Sequence, residues 1–140
     1  MTLAGKKLLI AEDHPNFRKI MKMYLHALGP AEIHEAQSGS QAWQIIGMAL
    51  NDRKPFDLIL ADVNMPDGTG IDLLRAIRES ASTAQLPVIL VTAEAESDMV
   101  AQALALKVND YVVKPFTIDT LQEKIFSVLN IKKSPETSSY

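Results

Sequence analysis

Five short strand-like runs, each followed by a segment with helical periodicity, constrain the fold of this chain most strongly. The runs lie near residues 6–11, 31–36, 57–62, 87–92 and 110–113. Apolar residues recur at helical spacing near residues 15–28, 39–50, 69–80, 97–107 and 117–130. Strands that alternate with helices wind a parallel sheet that is covered on both faces. The pattern therefore predicts an α/β fold of five βα units, (βα)5.

Length and composition predict one folded domain. The chain has 140 residues, of which 47% are hydrophobic, enough for a single core. The last ten residues are mostly polar and carry no periodic apolar face. We expect a domain over residues 1–130 and a flexible C-terminal tail over residues 131–140.

Composition also argues against several classes of function. There are no cysteines, so disulfides and thiolate metal sites are ruled out and nothing suggests an oxidising compartment. The net charge is −3 and no basic stripe is present, which disfavours nucleic-acid binding by this chain. No apolar run is long enough for membrane insertion, and no signal peptide is apparent. The expected location is cytoplasmic.

Residues that favour particular turns and caps mark the element ends. Gly29 and the proline after it predict a helix stop. Pro15 suits a first helical turn. Thr69, Ser97 and Thr117 each precede an apolar-periodic segment and are expected to cap its free N–H groups.

Chemically active side chains follow four of the predicted strands. Glu12 and Asp13 follow the first, Asp62 ends the third, Thr92 ends the fourth and Lys114 follows the fifth. Ligands bind at the carboxyl ends of the strands in open α/β sheets. Any one of these residues alone would more often be a loop, turn or capping residue. Their joint occurrence at successive strand ends predicts one shared site.

The three acids in this set predict a metal ion. Two carboxylates about 4 Å apart repel by roughly 4 kcal/mol at an effective dielectric near 20, so Glu12, Asp13 and Asp62 require a cation. Oxygen ligands favour Mg²⁺ over Zn²⁺. We expect Asp13 and Asp62 to coordinate it directly and Glu12 through water. Because Mg²⁺ commonly completes its shell with phosphate oxygens, the set indicates a phosphorylated partner.

Asp62 is the best candidate for a nucleophile. An aspartate has an ordinary pKa near 3.9, so at neutral pH it can attack phosphorus without a general base. Phosphoryl transfer requires mainly positioning and neutralisation of charge on the oxygens. Mg²⁺, Lys114, the Thr92 hydroxyl and backbone N–H groups of Asn64 and Ala93 can supply both. The product would be a temporary acyl phosphate, which suits a signal.

Other conspicuous residues have simpler interpretations. We expect His14 to be a loop residue, His26 a helix-surface residue and His34 a strand residue. We expect Trp43 and the pair Met21 and Met23 to pack against other side chains rather than bind a cofactor.

Four motifs resemble those of response-regulator receiver domains, most nearly the single-domain chemotaxis (CheY-like) type. The motifs are Glu12-Asp13, Asp62-x-Asn64-Met65-Pro66, Val91-Thr92-Ala93-Glu94-Ala95 and Tyr111-Val112-Val113-Lys114-Pro115-Phe116. The resemblance spans residues 6 to 130 and implies a flavodoxin-like three-layer sandwich with strand order 2-1-3-4-5.

The same resemblance implies roles for the site residues. Asp62 would be the phosphoacceptor, and Asp13, Asp62 and the Asn64 carbonyl would bind Mg²⁺. Thr92 and Lys114 would hold the phosphoryl group, and the bond after Lys114 would be cis.

Signalling would follow from a switch and a contact face. By resemblance, Tyr111 would turn inward as Thr92 moves toward the phosphoryl oxygens. The face of the fourth helix, fifth strand and fifth helix would meet a downstream protein through Val100, Leu104, Tyr111, Phe116 and Lys124. The donor would be a histidine kinase or a histidine phosphotransfer protein.

Three positions depart from the usual receiver pattern. Lys107 stands where many relatives have a helix-ending glycine, so the cap there is expected to be strained or rearranged. The segment from Gly39 to Asp62 is longer than in compact relatives, and its residues 51–55 are expected to enlarge a surface loop. Thr69 replaces an acidic residue that often precedes the glycine at position 70. None of these removes a site residue.

The leading hypothesis is a phosphorylation-controlled signalling module of a two-component phosphorelay. Chemotaxis is a candidate process for it. We expect the domain to remove its own phosphoryl group slowly at most. One alternative is a receiver domain cut from a longer hybrid kinase or transcription factor. Another is a phosphohydrolase of the haloacid-dehalogenase type. Its second acid would stand at position 64, where this chain has Asn64.

Overall fold

The computed structural model describes residues 3–29, 32–94 and 96–131. Within these ranges five strands alternate with five helices. The strands are β1 (Lys7–Ala11), β2 (Glu32–Ala36), β3 (Leu58–Asp62), β4 (Val88–Thr92) and β5 (Asp110–Val113). The helices are α1 (Pro15–Ala27), α2 (Gly39–Asn51), α3 (Gly70–Glu79), α4 (Ser97–Ala105) and α5 (Ile118–Leu129).

The strands form one parallel sheet in the order β2-β1-β3-β4-β5. This confirms the predicted fold class and strand order. All five residues of β3 and of β4 are buried. The first four residues of each strand are apolar, as expected for strands covered on both faces, and each strand ends in a buried polar residue, Asp62 or Thr92.

Alternate residues of β3 divide between two apolar clusters, one on each face of the sheet. Leu58 and Leu60 pack with residues of α1 and α5. Ile59 and Ala61 pack with residues of α2 and α3. Because successive strand side chains point to opposite faces, this division produces the three-layer sandwich.

Helix starts follow the predicted capping pattern except at α4. Thr69 caps α3 in a reciprocal capping box with Asp72, and the Thr117 side chain accepts from the Thr120 N–H. Pro15 is the first residue of α1. The prediction that Ser97 caps α4 is wrong: Ser97 is its first helical residue, and Glu96 occupies the cap without a side-chain hydrogen bond.

Lys107 stands where the sequence predicted a strained or rearranged helix cap. It takes the left-handed conformation, with φ of 60°. The Val108 N–H donates to the Ala103 carbonyl and the Lys107 N–H to the Leu104 carbonyl. The helix cap therefore keeps its usual hydrogen bonds without glycine. Arg78 ties this turn to α3 by donating to the carbonyls of Leu106 and Lys107.

The end of the domain extends slightly past α5. The Ile131 N–H donates to the Phe126 carbonyl, and Ile131 packs partly against the core. The rest of the predicted tail, residues 132–140, lies outside the described residues. Among those that are described, no helix combines the length and the apolar character needed to span a bilayer.

Candidate functional site

Three acids meet where β1 and β3 end. Carboxylate oxygens of Glu12, Asp13 and Asp62 all lie within 4.8 Å of one another. The register accounts for their meeting, because Ala11 of β1 pairs with Ala61 of β3. Glu12 and Asp62, the next residue on each chain, therefore lie level. Glu12 and Asp62 are buried, whereas Asp13 is exposed.

Lys114 joins the acids from the edge of the sheet. Its N–H donates to the Thr92 carbonyl at 2.7 Å, which holds the segment after β5 beside the end of β4. Its ammonium donates to Glu12 at 2.8 Å and to Asp62 at 3.1 Å. The Lys114–Pro115 peptide bond is cis, as the resemblance implied. One cation thus reaches two buried carboxylates.

These contacts shift the proton affinities of the buried groups. Burial raises the pKa of the Glu12 carboxyl to about 7; Asp62 adds to the rise and the hydrogen bond from Lys114 opposes it. Burial alone would lower the pKa of the Lys114 ammonium, but its contacts with Glu12 and Asp62 outweigh burial and raise it. The lysine is therefore charged at neutral pH, while Glu12 exchanges protons there.

The loop after Asp62 is held by backbone contacts that require glycine. A Cβ at Gly70 would overlap the Asp62 carbonyl, and a Cβ at Gly39 would overlap the Gly68 carbonyl. The Gly39 N–H donates to that Gly68 carbonyl at 3.1 Å. Within the loop, the Asn64 N–H donates to Asp62 Oδ1 at 3.3 Å. The first turns of α2 and α3 thus fix the loop that carries Asn64.

Thr92 ends β4 and is engaged with its own loop. Its hydroxyl donates to the Glu94 carbonyl at 2.7 Å and accepts from the Glu94 N–H at 3.2 Å. Thr92, Ala93 and Asn64 line a cleft of about 350 Å³ beside the acids. The structure therefore brings both backbone candidates and the hydroxyl to one opening.

The predicted switch residue and the predicted contact residues are not among those that line this cleft. Tyr111 is half-buried on β5, with the Lys124 ammonium 5.8 Å from its ring centroid. Tyr111, Phe116 and Lys124 line one shallow cleft of about 410 Å³. On α4, Leu104 is 62% exposed and Val100 is half-buried.

Three residues of α1 and its cap contact the site, although none was predicted there. His14 is the N-cap of α1; its ring accepts from the Phe17 N–H, and its own N–H donates to Glu12. Arg18 donates to the Glu12 carbonyl at 2.8 Å. The Phe17 ring centroid lies 4.3 Å from the Lys114 ammonium. The helical period placed Phe17 and Arg18 on α1, but it does not show that Arg18 turns back to the Glu12 carbonyl or that Phe17 meets Lys114, which lies far along the chain.

The remaining conspicuous residues are distant from the acids. Met21 is buried, as expected. The prediction that Met23 packs in the same way is wrong, because its side chain is 62% exposed. Trp43 lies on α2 and is 38% exposed. His26 lies on the exposed face of α1, and His34 on β2 donates a ring N–H to the Glu32 carboxylate.

Comparison with known proteins decides the family. The sequence profile of the response regulator receiver domain matches residues 8–126. The chain belongs to the response regulator receiver domain family. Receiver domains work in two-component phosphorelay signalling: they receive phosphate from histidine kinases and act on downstream targets, and they are signalling modules rather than classical enzymes.

Its relatives among characterised proteins include chemotaxis proteins. This receiver domain is 44% identical over 119 residues to the chemotaxis protein CheY of Pseudomonas aeruginosa, covering 85% of this chain and 92% of that protein. It is 40% identical over 119 residues to CheY-3 of Vibrio cholerae, covering 85% and 88% respectively.

Solved structures share the same fold. The chemotaxis protein CheY4 of Vibrio cholerae matches with a TM-score of 0.78 at 29% identity, covering 90% of this chain and 100% of that one. The receiver domain of sensor histidine kinase PA1611 from Pseudomonas aeruginosa matches with a TM-score of 0.78 at 28% identity, covering 91% and 99%. That domain has a magnesium ion coordinated in its active site cleft.

The acidic cluster of this receiver domain fits such an ion. All its candidate side-chain ligands are carboxylates, which suit a hard cation. Within the part of the chain that the structure describes, three carboxyl groups converge and the Lys114 ammonium bonds to two of them. A divalent cation would offset the repulsion that remains between them.

Proposed function

We propose that this receiver domain accepts a phosphoryl group on Asp62 from a phosphohistidine of a histidine kinase or histidine phosphotransfer protein. The observation that carries the proposal is the convergence of Asp62 with the Lys114 ammonium, 3.1 Å away, and with the carboxylates of Glu12 and Asp13. An acid with a fixed cation beside it and two further acids around it suits a phosphorus nucleophile better than a structural ion pair.

Phosphoryl transfer then proceeds at one carboxylate oxygen. Asp62 forms an oxygen–phosphorus bond as the nitrogen–phosphorus bond of the donor breaks, and the bonding pair stays on the imidazole, which takes up a proton. The Lys114 ammonium is placed to hold a phosphoryl oxygen. The Asn64 and Ala93 N–H groups and the Thr92 hydroxyl are the candidates for the others.

Magnesium would be held by Asp13, Asp62 and the Asn64 carbonyl, with Glu12 acting through water. When bound, Mg²⁺ supplies positive charge to a phosphoryl oxygen. Asp13 is the exposed member of the set and so gives the ion a route to solvent.

Switching would require Thr92 to exchange its hydrogen bonds with Glu94 for one to the phosphoryl group. Tyr111 would respond on β5 and alter the face formed by α4, β5 and α5. Phosphorylation shifts this equilibrium only by its differential contact with the two states. The downstream protein would contact Val100, Leu104, Tyr111, Phe116 and Lys124. Hydrolysis of the acyl phosphate by the domain itself would be slow.

Chemotaxis is the process that we propose for this phosphorelay. Its characterised relatives at 40–44% identity are chemotaxis proteins. The structural match to a sensor-kinase receiver domain supports, as a second candidate, a receiver working within a larger hybrid kinase. A phosphohydrolase is disfavoured because Asn64 replaces the second acid.

Incubation with Mg²⁺ and acetyl phosphate tests the phosphoacceptor. We expect the mass gain of one phosphoryl group, located at Asp62 by peptide mapping and absent from Asp62→Asn. Asp67→Asn is the matched control, since Asp67 is an exposed acid in the following loop and should label normally. Labelling that persists in Asp62→Asn would overturn the proposal.

Affinity capture tests the readout. The protein is immobilised with and without beryllofluoride, a mimic of the phosphorylated aspartate, and incubated with cell extract. We expect the captured partners to differ between the two forms, and Leu104→Ala to reduce that difference. An identical set of partners in both forms would contradict the switch.

A further inference from the structure

Phe17 covers the ammonium that the proposed function places beside the phosphoacceptor. The Lys114 Nζ lies 4.3 Å from the Phe17 ring centroid, within the range of a cation–π contact. The same nitrogen donates to Glu12 and to Asp62. Three groups from three separate elements therefore surround one cation.

The position of the Phe17 ring is itself fixed by the fold. Phe17 lies in the first turn of α1, where its N–H donates to the capping ring of His14. The Phe116 ring meets the Phe17 ring edge-on, with centroids 5.5 Å apart and planes at 87°. Tyr24 packs in turn against Phe116 at 6.2 Å. The ring is therefore held from the helix and from the segment after Lys114.

We propose that Phe17 is a positioning residue, which holds the Lys114 ammonium where it can meet the transferred phosphoryl group. The inference rests on the proposed function of Asp62. An aromatic face attracts a cation but accepts no strong hydrogen bond, so it restrains the ammonium without competing for the N–H groups that the phosphoryl oxygens need.

The arrangement also has a consequence during transfer. The negative charge that Lys114 faces moves from the Asp62 carboxylate to the phosphoryl oxygens as the new bond forms. The ring contact does not change with that charge. Phe17 would therefore keep the ammonium in place while its anionic partner changes.

Simple packing is the competing explanation, because Phe17 also contacts the core beneath α1. Graded fluorination separates the two. Fluorine withdraws electron density from the ring face and so weakens a cation–π contact, while the shape of the side chain changes little. Packing would be nearly indifferent to the series.

The experiment replaces Phe17 in the full chain with mono-, di- and trifluorinated phenylalanine and measures the rate of Asp62 labelling by acetyl phosphate with Mg²⁺. We expect the rate to fall at each step, reaching about a fivefold loss for the trifluorinated ring. The matched control is the same series at Phe126, whose ring is buried in the apolar core, and there we expect no trend. Equal rates across the Phe17 series, or equal trends at both positions, would overturn the inference.

A measurement without phosphodonor or Mg²⁺ tests the placement alone. Protons on the Lys114 carbon next to the ammonium should resonate upfield by the ring current of Phe17, and Phe17→Leu should remove that shift. Random-coil shifts in the unsubstituted protein would contradict the geometry. If the unsubstituted protein is not labelled at Asp62, the proposed function fails; if it is labelled but insensitive to the Phe17 series, only the positioning role fails.

Discussion

Lys114 Nζ lies 2.8 Å from Glu12 Oε1, although the two residues are 102 positions apart in the chain. Lys114 follows β5 at one edge of the sheet, and Glu12 follows β1 on the far side of β4 and β3. The lysine side chain reaches from the end of β5 to Glu12, and it also donates a hydrogen bond to Asp62. The ion pair therefore links the edge of the sheet to its centre, and most of the expected behaviour of the site depends on it.

Removing the ammonium should destabilise the metal-free protein. In Lys114→Met, the Glu12 and Asp62 carboxylates lose their shared cation, and we expect the free energy of unfolding at pH 8 to fall by about 3 kcal/mol. Urea denaturation in a chelator measures it, and Mg²⁺ should restore part of the loss. Lys124→Met is the control: its partner Asp110 is partly exposed, and the expected loss is under about 1 kcal/mol. Equal losses in the two variants would contradict this account.

The stability of the metal-free protein should depend on the protonation of Glu12. Its pKa is about 7 in the folded protein, against an ordinary value of 4.5 for a glutamate carboxyl, so the folded state binds this proton more tightly. The contribution of Glu12 is complete below pH 4.5 and is lost as the pH rises to 7, by about 3 kcal/mol in total. Lys114 stays charged throughout this window because its pKa is raised.

Urea denaturation in a chelator between pH 5 and pH 8 checks this dependence. Glu12→Gln should show a flatter profile than the unsubstituted protein, because glutamine does not titrate. Parallel profiles would show that the burial and charges around Glu12 do not raise its pKa. Mg²⁺ affinity should also weaken below pH 7 as protons compete for the site.

The two glycines of α2 offer a matched test of loop positioning. Gly39→Ala puts a methyl group onto the Gly68 carbonyl, so we expect a loss of about 2 kcal/mol in stability and weaker Mg²⁺ binding. Gly47 has open space around its Cβ position, so Gly47→Ala should gain roughly 0.5–1 kcal/mol. Denaturation and Mg²⁺ titration of both variants check this. Normal Mg²⁺ binding in Gly39→Ala would show that the α2 contact does not position the loop.

The turn after α4 should be stabilised by glycine. Lys107 has φ of 60°, which costs an ordinary residue roughly 1–2 kcal/mol. Lys107→Gly should therefore raise the unfolding free energy by about 0.5–1 kcal/mol after the entropy cost of glycine. Lys107→Ala should give no such gain, since alanine is strained in the same way. Thermal unfolding of the two variants distinguishes relief of strain from loss of the charge.

Helix termini show where local sequence was sufficient and where it was not. Thr69 and Thr117 cap as predicted, because a threonine before an apolar-periodic segment satisfies nearby N–H groups by local geometry. At α4 the same reasoning placed the cap one residue late, at Ser97, and the structure gives that position to Glu96. Helix ends shift readily by one or two residues, so a capping motif alone does not fix which of two neighbouring polar residues becomes the cap.

The sequence by itself determined the alternation of strands and helices, because the periods of two and 3.6 residues are properties of local backbone geometry. It also placed Glu12, Asp62, Thr92 and Lys114 at strand ends, where a parallel sheet must gather them. Only the tertiary structure decided that Phe17 lies over Lys114 and that the Lys114 ammonium reaches Glu12. Those contacts depend on helix docking and side-chain direction across the sheet, and residues far apart in the chain carry no local signal of them.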